Sequence, residues 1–425
     1  MRADCCADHM DVDERWNSSE RGRGMTQAAF LLFVFLKQFY IKSSGSIGIA
    51  DLCIAFCVIF LVLDIVRGKR KMPSVTDLKR EKFLIAFLIC VVIINLFFTI
   101  KDHCRDYERY TLYWIFNGAA IWCFLELADK DFLKKLNGVC KINILTQAVI
   151  WVLGYGRVFT EYWGPTRYMG TFNDPNQYAF YLFCMILLIS LYACNYGDRT
   201  APIYYCLGVF FMSISKSTGI FLGLMLYTVG MAIWFYVRYR SKWNIPRKTE
   251  MTLGVVLILA AIAIVIKIFP GPDFNLKNTD YTMLTRIQEK IWKVLYGGNS
   301  TMLSDRGMDR VALYPRYLLL GAGEGNFNRF LKAAQQNEIH CSFLNIWFSY
   351  GVIPTVLLLK WLWEKMRKIS AVEWIIAGSL IVESFLLVNY RQPFFWMILL
   401  YGYIRQKNQE KTASTLSFQQ SDDIL

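Results

Sequence analysis

The chain of 425 residues has three histidines, and one of them, His340, stands where a long polar stretch gives way to an apolar run. That stretch, Phe269 to Leu344, carries Arg286, Arg306, Arg310 and Arg316. It ends in Gly321-Ala-Gly-Glu-Gly-Asn-Phe327 and then Glu338-Ile-His340-Cys-Ser-Phe-Leu344. Three shorter polar stretches also interrupt the hydrophobic blocks. One contains Arg167 and runs to Asp174-Pro-Asn176, one is Ser213 to Gly219 with Lys216, and one is Asn389 to Pro393 with Arg391. A guanidinium offers permanent, bidentate contacts to phosphate oxygens. A histidine takes a proton from a hydroxyl near neutral pH, and fixed positive charge stabilises a departing pyrophosphate.

Each residue also has a plainer reading. A lone histidine at a membrane edge is ordinarily an interfacial polar group, and an arginine there ordinarily meets lipid headgroups. The cluster Gly321-Ala-Gly-Glu-Gly325 lacks both GxGxxG spacing and a βαβ context, so it reads as a tight turn. Lys37 reads as snorkelling from the first span, and Asp51 and Asp64 as interfacial.

The elements that must position these groups are membrane helices. Hydrophobic residues make up 55% of the chain and charged residues 19%. Apolar runs recur along it, each long enough to cross roughly 30 Å of hydrocarbon. Their length excludes an outer-membrane barrel, whose strands alternate over about ten residues. The formal charge of +14 lies mainly in short loops such as Arg67-Gly-Lys-Arg-Lys71 and Arg238-Tyr-Arg-Ser-Lys242. This positive-inside pattern sets orientation and argues against a nucleic-acid partner. The twelve cysteines are scattered, mostly in apolar segments, without CxxC or Cys/His metal spacing. They read as small buried hydrophobes, with no metal site and no disulfide framework.

Alternation from the two basic loops predicts an all-α integral membrane protein of about twelve spans, with both termini cytoplasmic. Residues 1–24 form a polar tail without signal-peptide order, and helices one to nine occupy 25–269. A large extracytoplasmic loop spans 270–340, helices ten to twelve occupy 341–404, and 405–425 form a cytoplasmic tail. The four polar stretches then share one side.

At these residues the chain resembles the superfamily of bacterial O-antigen ligases and O-antigen or capsule polymerases. Arg167-Tyr-Met-Gly-Thr-Phe-Asn-Asp-Pro-Asn176 is similar to that family's Arg…Gly…Asp-Pro-Asn stretch, and Ser215-Lys-Ser-Thr-Gly219 to its Ser-Arg-Gly stretch. Arg306 ahead of Gly321-x-Gly323 resembles its Arg…Gly-x-Gly arrangement, and His340-Cys-Ser-Phe-Leu344 its His-Asn/Ser motif. The resemblance covers about Arg157 to Trp396. It implies a glycosyltransferase at the outer face of the inner membrane, with a glycan on undecaprenyl pyrophosphate as donor and no cofactor.

Carried over, His340 is the base, Arg306 holds pyrophosphate, and Arg167 is a second positive contact. Lys216 stands for the Ser-Arg arginine, although alignment on the glycine puts Thr218 there. Arg286 is an alternative claimant for the role of Arg306. Arg391 is a further substrate contact, and Asn176, Gly321 and Gly323 are motif positions. The expected reaction is polymerisation of lipid-linked repeat units. Transfer to lipid A–core, as in a ligase, is the alternative; a flippase and a membrane scaffold are more distant ones. Expected partners are the lipid-linked glycan, membrane lipid and other assembly proteins such as a flippase or chain-length regulator. Glu324 and Glu338 are the next carboxylates in line should His340 not be the base.

Overall fold

The computed structural model describes residues 24–40, 48–70, 72, 74–161, 165–243, 246–275, 281–297 and 303–422. The polar N-terminal tail, up to residue 23, lies outside them. The protein is mostly helical. Helices α1 (Gly24–Leu36), α2 (Ile49–Val66), α3 (Val75–Asp102), α4 (Asp106–Leu127) and α5 (Lys130–Val152) lead to a hairpin of strands β1 (Arg157–Thr160) and β2 (Thr166–Gly170). Then come α6 (Pro175–Tyr196), α7 (Ala201–Ser215), α8 (Thr218–Trp243) and α9 (Arg247–Ile268). The long loop carries α10 (Met283–Leu295), α11 (Asp309–Leu313) and α12 (Arg316–Leu320). The chain closes with α13 (Ser342–Tyr350), α14 (Val352–Met366), α15 (Ala371–Glu383) and α16 (Pro393–Asp422).

Local chemistry sets the helix limits. Asp174 caps α6, its carboxylate accepting from the amides of Asn176 (2.8 Å) and Gln177 (3.0 Å), with Pro175 preset for a first helical turn. Gly197, at φ +83°, ends α6 in a left-handed cap. Ser74 with Asp77 and Ser370 with Glu373 form capping boxes at the starts of α3 and α15.

Helix α6 is the centre. Every residue from Tyr178 to Leu191 is buried, and 78% of its most apolar window lies inside, against 28% for α2, α3 and α8. A helix apolar all round must be enclosed by others. The start of α16, Phe394 to Tyr401, is likewise fully buried. By contrast α2 exposes Ile49, Leu52, Phe56 and Ile59, and α3 exposes Ile89, Ile93, Leu96 and Phe97. An apolar belt on this scale belongs in lipid. Among the described residues four helices are long and apolar enough to cross a bilayer (α2, α3, α6 and Thr218–Arg240 of α8), and α1 and α7 are shorter apolar helices. The protein is therefore membrane-embedded and mostly α-helical.

The ends of the helices sort into two groups. The hairpin, the long loop and the α15–α16 turn meet at one end, tied by Arg329–Asp102 (2.8 Å) and Arg286–Glu161 (2.9 Å). At the far end Arg70 pairs with Glu126, Lys365 with Glu81 and Arg405 with Glu373.

The structure departs from the sequence expectations in five places. The Arg157–Asn176 stretch, expected as a plain loop, contains a short antiparallel hairpin, pairing Val158 with Tyr168 and Thr160 with Thr166, within an otherwise helical membrane fold. β-Branched and aromatic residues there suit a pleated pair. The tenth span, expected from about Cys341 to Leu359, is broken at Gly351, and the eleventh, expected to reach about Val388, stops at Glu383. The twelfth continues as one helix through most of the expected tail. Lys37 does not snorkel; its ammonium pairs with Asp51 at 2.6 Å, joining α1 to α2.

The break has a steric cause. Gly351 sits at φ +80°, and a Cβ there would lie 2.5 Å from the Leu319 carbonyl oxygen and 2.7 Å from the Gly321 amide nitrogen. Gly351→Ala is expected to cost about 1–3 kcal/mol. Thermal unfolding in detergent should show a clearly lowered midpoint, whereas Gly378→Ala, with open space around it, should not.

Candidate active site

The backbone places His340. Its amide donates to the Arg306 carbonyl at 2.9 Å, so residues far apart in the loop become neighbours. Two residues on, the Ser342 amide donates to the Ser384 carbonyl (2.8 Å) and its hydroxyl to the Leu387 carbonyl (2.7 Å). The Arg306 guanidinium donates to the Leu386 carbonyl. Three backbone segments thus meet around one imidazole.

His340 borders a cavity of about 230 Å³. Glu338, Asn389 and Gln392 line it on the same side; Asp174, Asn176 and Gln177 at the head of α6 line the other, and Tyr40, Phe172 and Phe394 add aromatic walls. Among the described residues the imidazole has no hydrogen-bond partner. Burial lowers its pKa below the usual histidine value; Glu338 and Asp174 oppose this, while Arg306 and Arg391 reinforce it. A neutral imidazole beside two cations is a base with no proton of its own to shed first.

The two arginines differ in commitment. Arg391 is fully engaged: it forms ion pairs with Glu324 and Glu338 and lies 4.6 Å over the Tyr110 ring. Arg306 has only its carbonyl partner and no carboxylate within ion-pair distance among the described residues, and burial lowers its pKa. It is the under-compensated cation of the site.

Glu324 anchors this arrangement. Its carboxylate, 1% exposed, accepts from Tyr350 (2.6 Å), Trp114 (3.3 Å), Asn345 (3.4 Å), Tyr390 and Arg391. Its amide donates to Asn95 at 3.0 Å. Gly321 and Gly323, expected as motif positions, do not line the cavity. They hold the turn that delivers Glu324: both have positive φ, and a Cβ on Gly321 would lie 2.7 Å from the Tyr350 carbonyl carbon. The amides of Ala322 and Gly323 pair with the carbonyls of Phe348 and Ser349.

Arg167, Lys216 and Arg286 form a second group behind Asn176. Arg167 is buried, donating to the Ser215 carbonyl and to Asn176 Oδ1 (both 2.9 Å), with Glu161 at 3.5 Å. Asn176 Oδ1 also accepts from Ser217. Arg286 shares Glu161 and reaches Tyr281, and Lys216 lies 4.7 Å over the same ring while donating to the Thr166 carbonyl. Arg167 and Arg286 thus share Glu161 with Lys216 close by, and burial together with the two arginines lowers the Lys216 pKa. Arg286 therefore belongs to this group through Glu161 and Tyr281, and Arg167 acts as a clamp joining β2, α6 and the α7–α8 junction.

Residue types alone did not single out Glu161, Tyr281 and Tyr390. The only pointer to the role of Glu324 was a lone carboxylate inside a glycine turn. Neither protein-family models, characterised proteins nor solved structures match this chain.

Removing one partner from a buried ion pair strands the other. Glu324→Ala is expected to cost about 3–5 kcal/mol and Tyr350→Phe about 1 kcal/mol, read as thermal unfolding of the purified protein in detergent.

Proposed function

We propose that the protein is a membrane glycosyltransferase that polymerises lipid-linked oligosaccharide repeat units. It works at the outer face of the bacterial inner membrane, with about twelve spans and cytoplasmic termini. The orientation is supported by the basic loops lying opposite the candidate site. One observation carries the reading: an uncommitted, neutral-leaning imidazole on a polar cavity, with the uncompensated guanidinium of Arg306 held beside it.

In this mechanism an acceptor sugar hydroxyl attacks the anomeric carbon of the donor and gives its proton to His340. The bond from that carbon to the pyrophosphate oxygen breaks, and the pyrophosphate leaves on its lipid with its negative charge met by Arg306. Arg391, pinned and neutralised by Glu324 and Glu338, holds Glu338 in place beside the imidazole. The Arg167, Lys216 and Arg286 group adds positive potential behind Asn176. The acceptor is a second lipid-linked repeat unit. A ligase would use the same donor chemistry and take lipid A–core as acceptor.

Surface polysaccharide and the lipid-linked pool from cells with and without the gene test the reading. Collapse of the ladder to a single repeat supports polymerisation. Long chains stranded on the carrier would indicate the ligase, and no change in either pool would overturn the enzyme. His340→Ala should lower turnover about 10²–10⁴-fold and Arg306→Ala about 10²–10³-fold, with protein levels kept. Unchanged glycan in both variants would leave only a scaffold.

The pH dependence has a definite sign. Base catalysis needs neutral His340, and its pKa is lowered in the folded protein. Activity should persist below pH ~6.5 and fall only as pH drops through the depressed value. Glu338→Gln removes a charge that raises this pKa and should move the acid limb lower still. An acid limb above pH 6.5 would contradict the assignment.

A further inference from the structure

Glu383, the last residue of α15, is a carboxyl group that the reaction leaves unused. It is fully buried, and among the described residues no cation pairs with it. Its Oε1 has no hydrogen-bond partner, while Oε2 accepts from Asn389 Nδ2 and, at 3.5 Å, from Ser384 Oγ. Helix α8 closes over it with a bare glycine: a Cβ on Gly223 would lie 2.8 Å from the Glu383 Cβ. A buried carboxyl so thinly compensated costs stability, and an ionisable group of this kind among membrane helices ordinarily serves a site. Here it serves Asn389, which lines the cavity beside His340.

The bond decides which end of the Asn389 amide the cavity meets. Nδ2 is spent on Glu383, and the Asn389 backbone amide donates to Ser342 Oγ at 2.9 Å, so Oδ1 is the atom left for a ligand. Across the cavity Asn176 is fixed in the opposite sense. Its Oδ1 accepts from Arg167 and Ser217, which leaves Nδ2. A guanidinium only donates, so this amide cannot turn over. The cavity therefore offers one set acceptor and one set donor.

That polarity selects the ligand. A hydroxyl rotates its proton to suit either neighbour and needs no fixed pair. A secondary amide cannot, because its N–H only donates and its C=O only accepts. Asp174 and Glu338 also line the cavity and disfavour a carboxylate. Phe172, Phe180 and Phe394 offer an apolar face to a methyl group. At about 230 Å³ the space is smaller than the roughly 300–1,000 Å³ of a drug-sized site, so it suits a single sugar residue. We propose that this cavity recognises the acetamido group of the acceptor sugar, and that Glu383 is the positioning residue that sets Asn389 for it. The acetamido N–H donates to Asn389 Oδ1, and its C=O accepts from Asn176 Nδ2. The inference rests on the proposed reaction for the attacking hydroxyl and adds which class of sugar carries it.

The test uses the full-length protein in nanodiscs of phosphatidylethanolamine and phosphatidylglycerol, with saturation-transfer NMR reading binding. The probes are the methyl glycosides of N-acetylglucosamine and N-acetylgalactosamine, each beside its 2-hydroxy and 2-amino counterparts. At least one acetamido glycoside is expected to bind about ten-fold more tightly than both counterparts, with its acetamide methyl protons the most strongly saturated. Glu383→Met frees Asn389 to turn and should bring that ratio close to one. Glu383→Gln, whose side-chain carbonyl still accepts from Asn389, should keep it. The ratio separates positioning from folding, since a damaged fold weakens every probe alike.

Equal binding of acetamido and hydroxy glycosides, preference for the amino sugars, binding of none, or a ratio unchanged in Glu383→Met would each overturn the inference. The unsubstituted protein and Glu383→Gln decide the matter even if Glu383→Met fails to fold. The readout is independent of glycan output. Acetamido preference with an unchanged polysaccharide ladder in cells lacking the gene would fail the proposed reaction and keep the site. A collapsed ladder without that preference would do the reverse.

Discussion

A carboxylate enclosed among membrane helices is tolerable only if donors surround it, and Glu324 is surrounded. Groups from α3, α4, α13 and the α15–α16 turn all converge on its two oxygens and its amide. Desolvating such a charge costs several kcal/mol before pairing, so none of these partners is dispensable. The glycines follow from this constraint. The turn must press its backbone against the carbonyl end of α13 and against Phe98 of α3 to drive Glu324 inward; a side chain at Gly321 would meet the first and one at Gly323 the second.

The charges near the membrane surface divide by what compensates them. Arg391 is neutralised by two carboxylates and serves as a fixed post. Lys37, Arg70, Lys365 and Arg405 each have an acidic partner and join helices. Arg306 and the Arg167–Lys216–Arg286 group are left with surplus positive charge at the end bearing the cavity. A fold stabilised only by pairing would have no reason to keep that surplus; an anionic ligand would supply one.

Much of the helical framework was legible in the chain because hydropathy and caps are local signals. The starts of α2, α6 and α7 lie within two residues of the apolar runs that begin at about Ile47, Gln177 and Ala201 in the sequence. The glycine cluster was legible as a turn for the same reason. The partnership of His340 with Arg306 was not, because it depends on a backbone bond across a loop whose closure no spacing announces. The Glu324 network was hidden similarly, since Asn95, Trp114 and Tyr390 are far from it in sequence. The break at Gly351 looked like one glycine in an apolar run; only the approach of Leu319 and Gly321 makes it obligatory. The hairpin is too short, at four and five residues per strand, for alternation to show.

The long loop is stitched to the membrane helices unevenly. Its second half is bound through Asn95, Asp102, Ser349 and the α15–α16 turn. In its first half α10 lies against α8 and α9, with Gln288 on the Lys267 carbonyl, Trp292 on the Pro272 carbonyl and Arg286 on Glu161. Closing a longer loop there costs little, growing only with the logarithm of its length. The protein is therefore built like a tool with a fixed jaw and an exchangeable grip: the segments 269–275 and 287–297, beyond the Tyr281 and Arg286 contacts, can be rewritten while the arrangement around His340 stays intact.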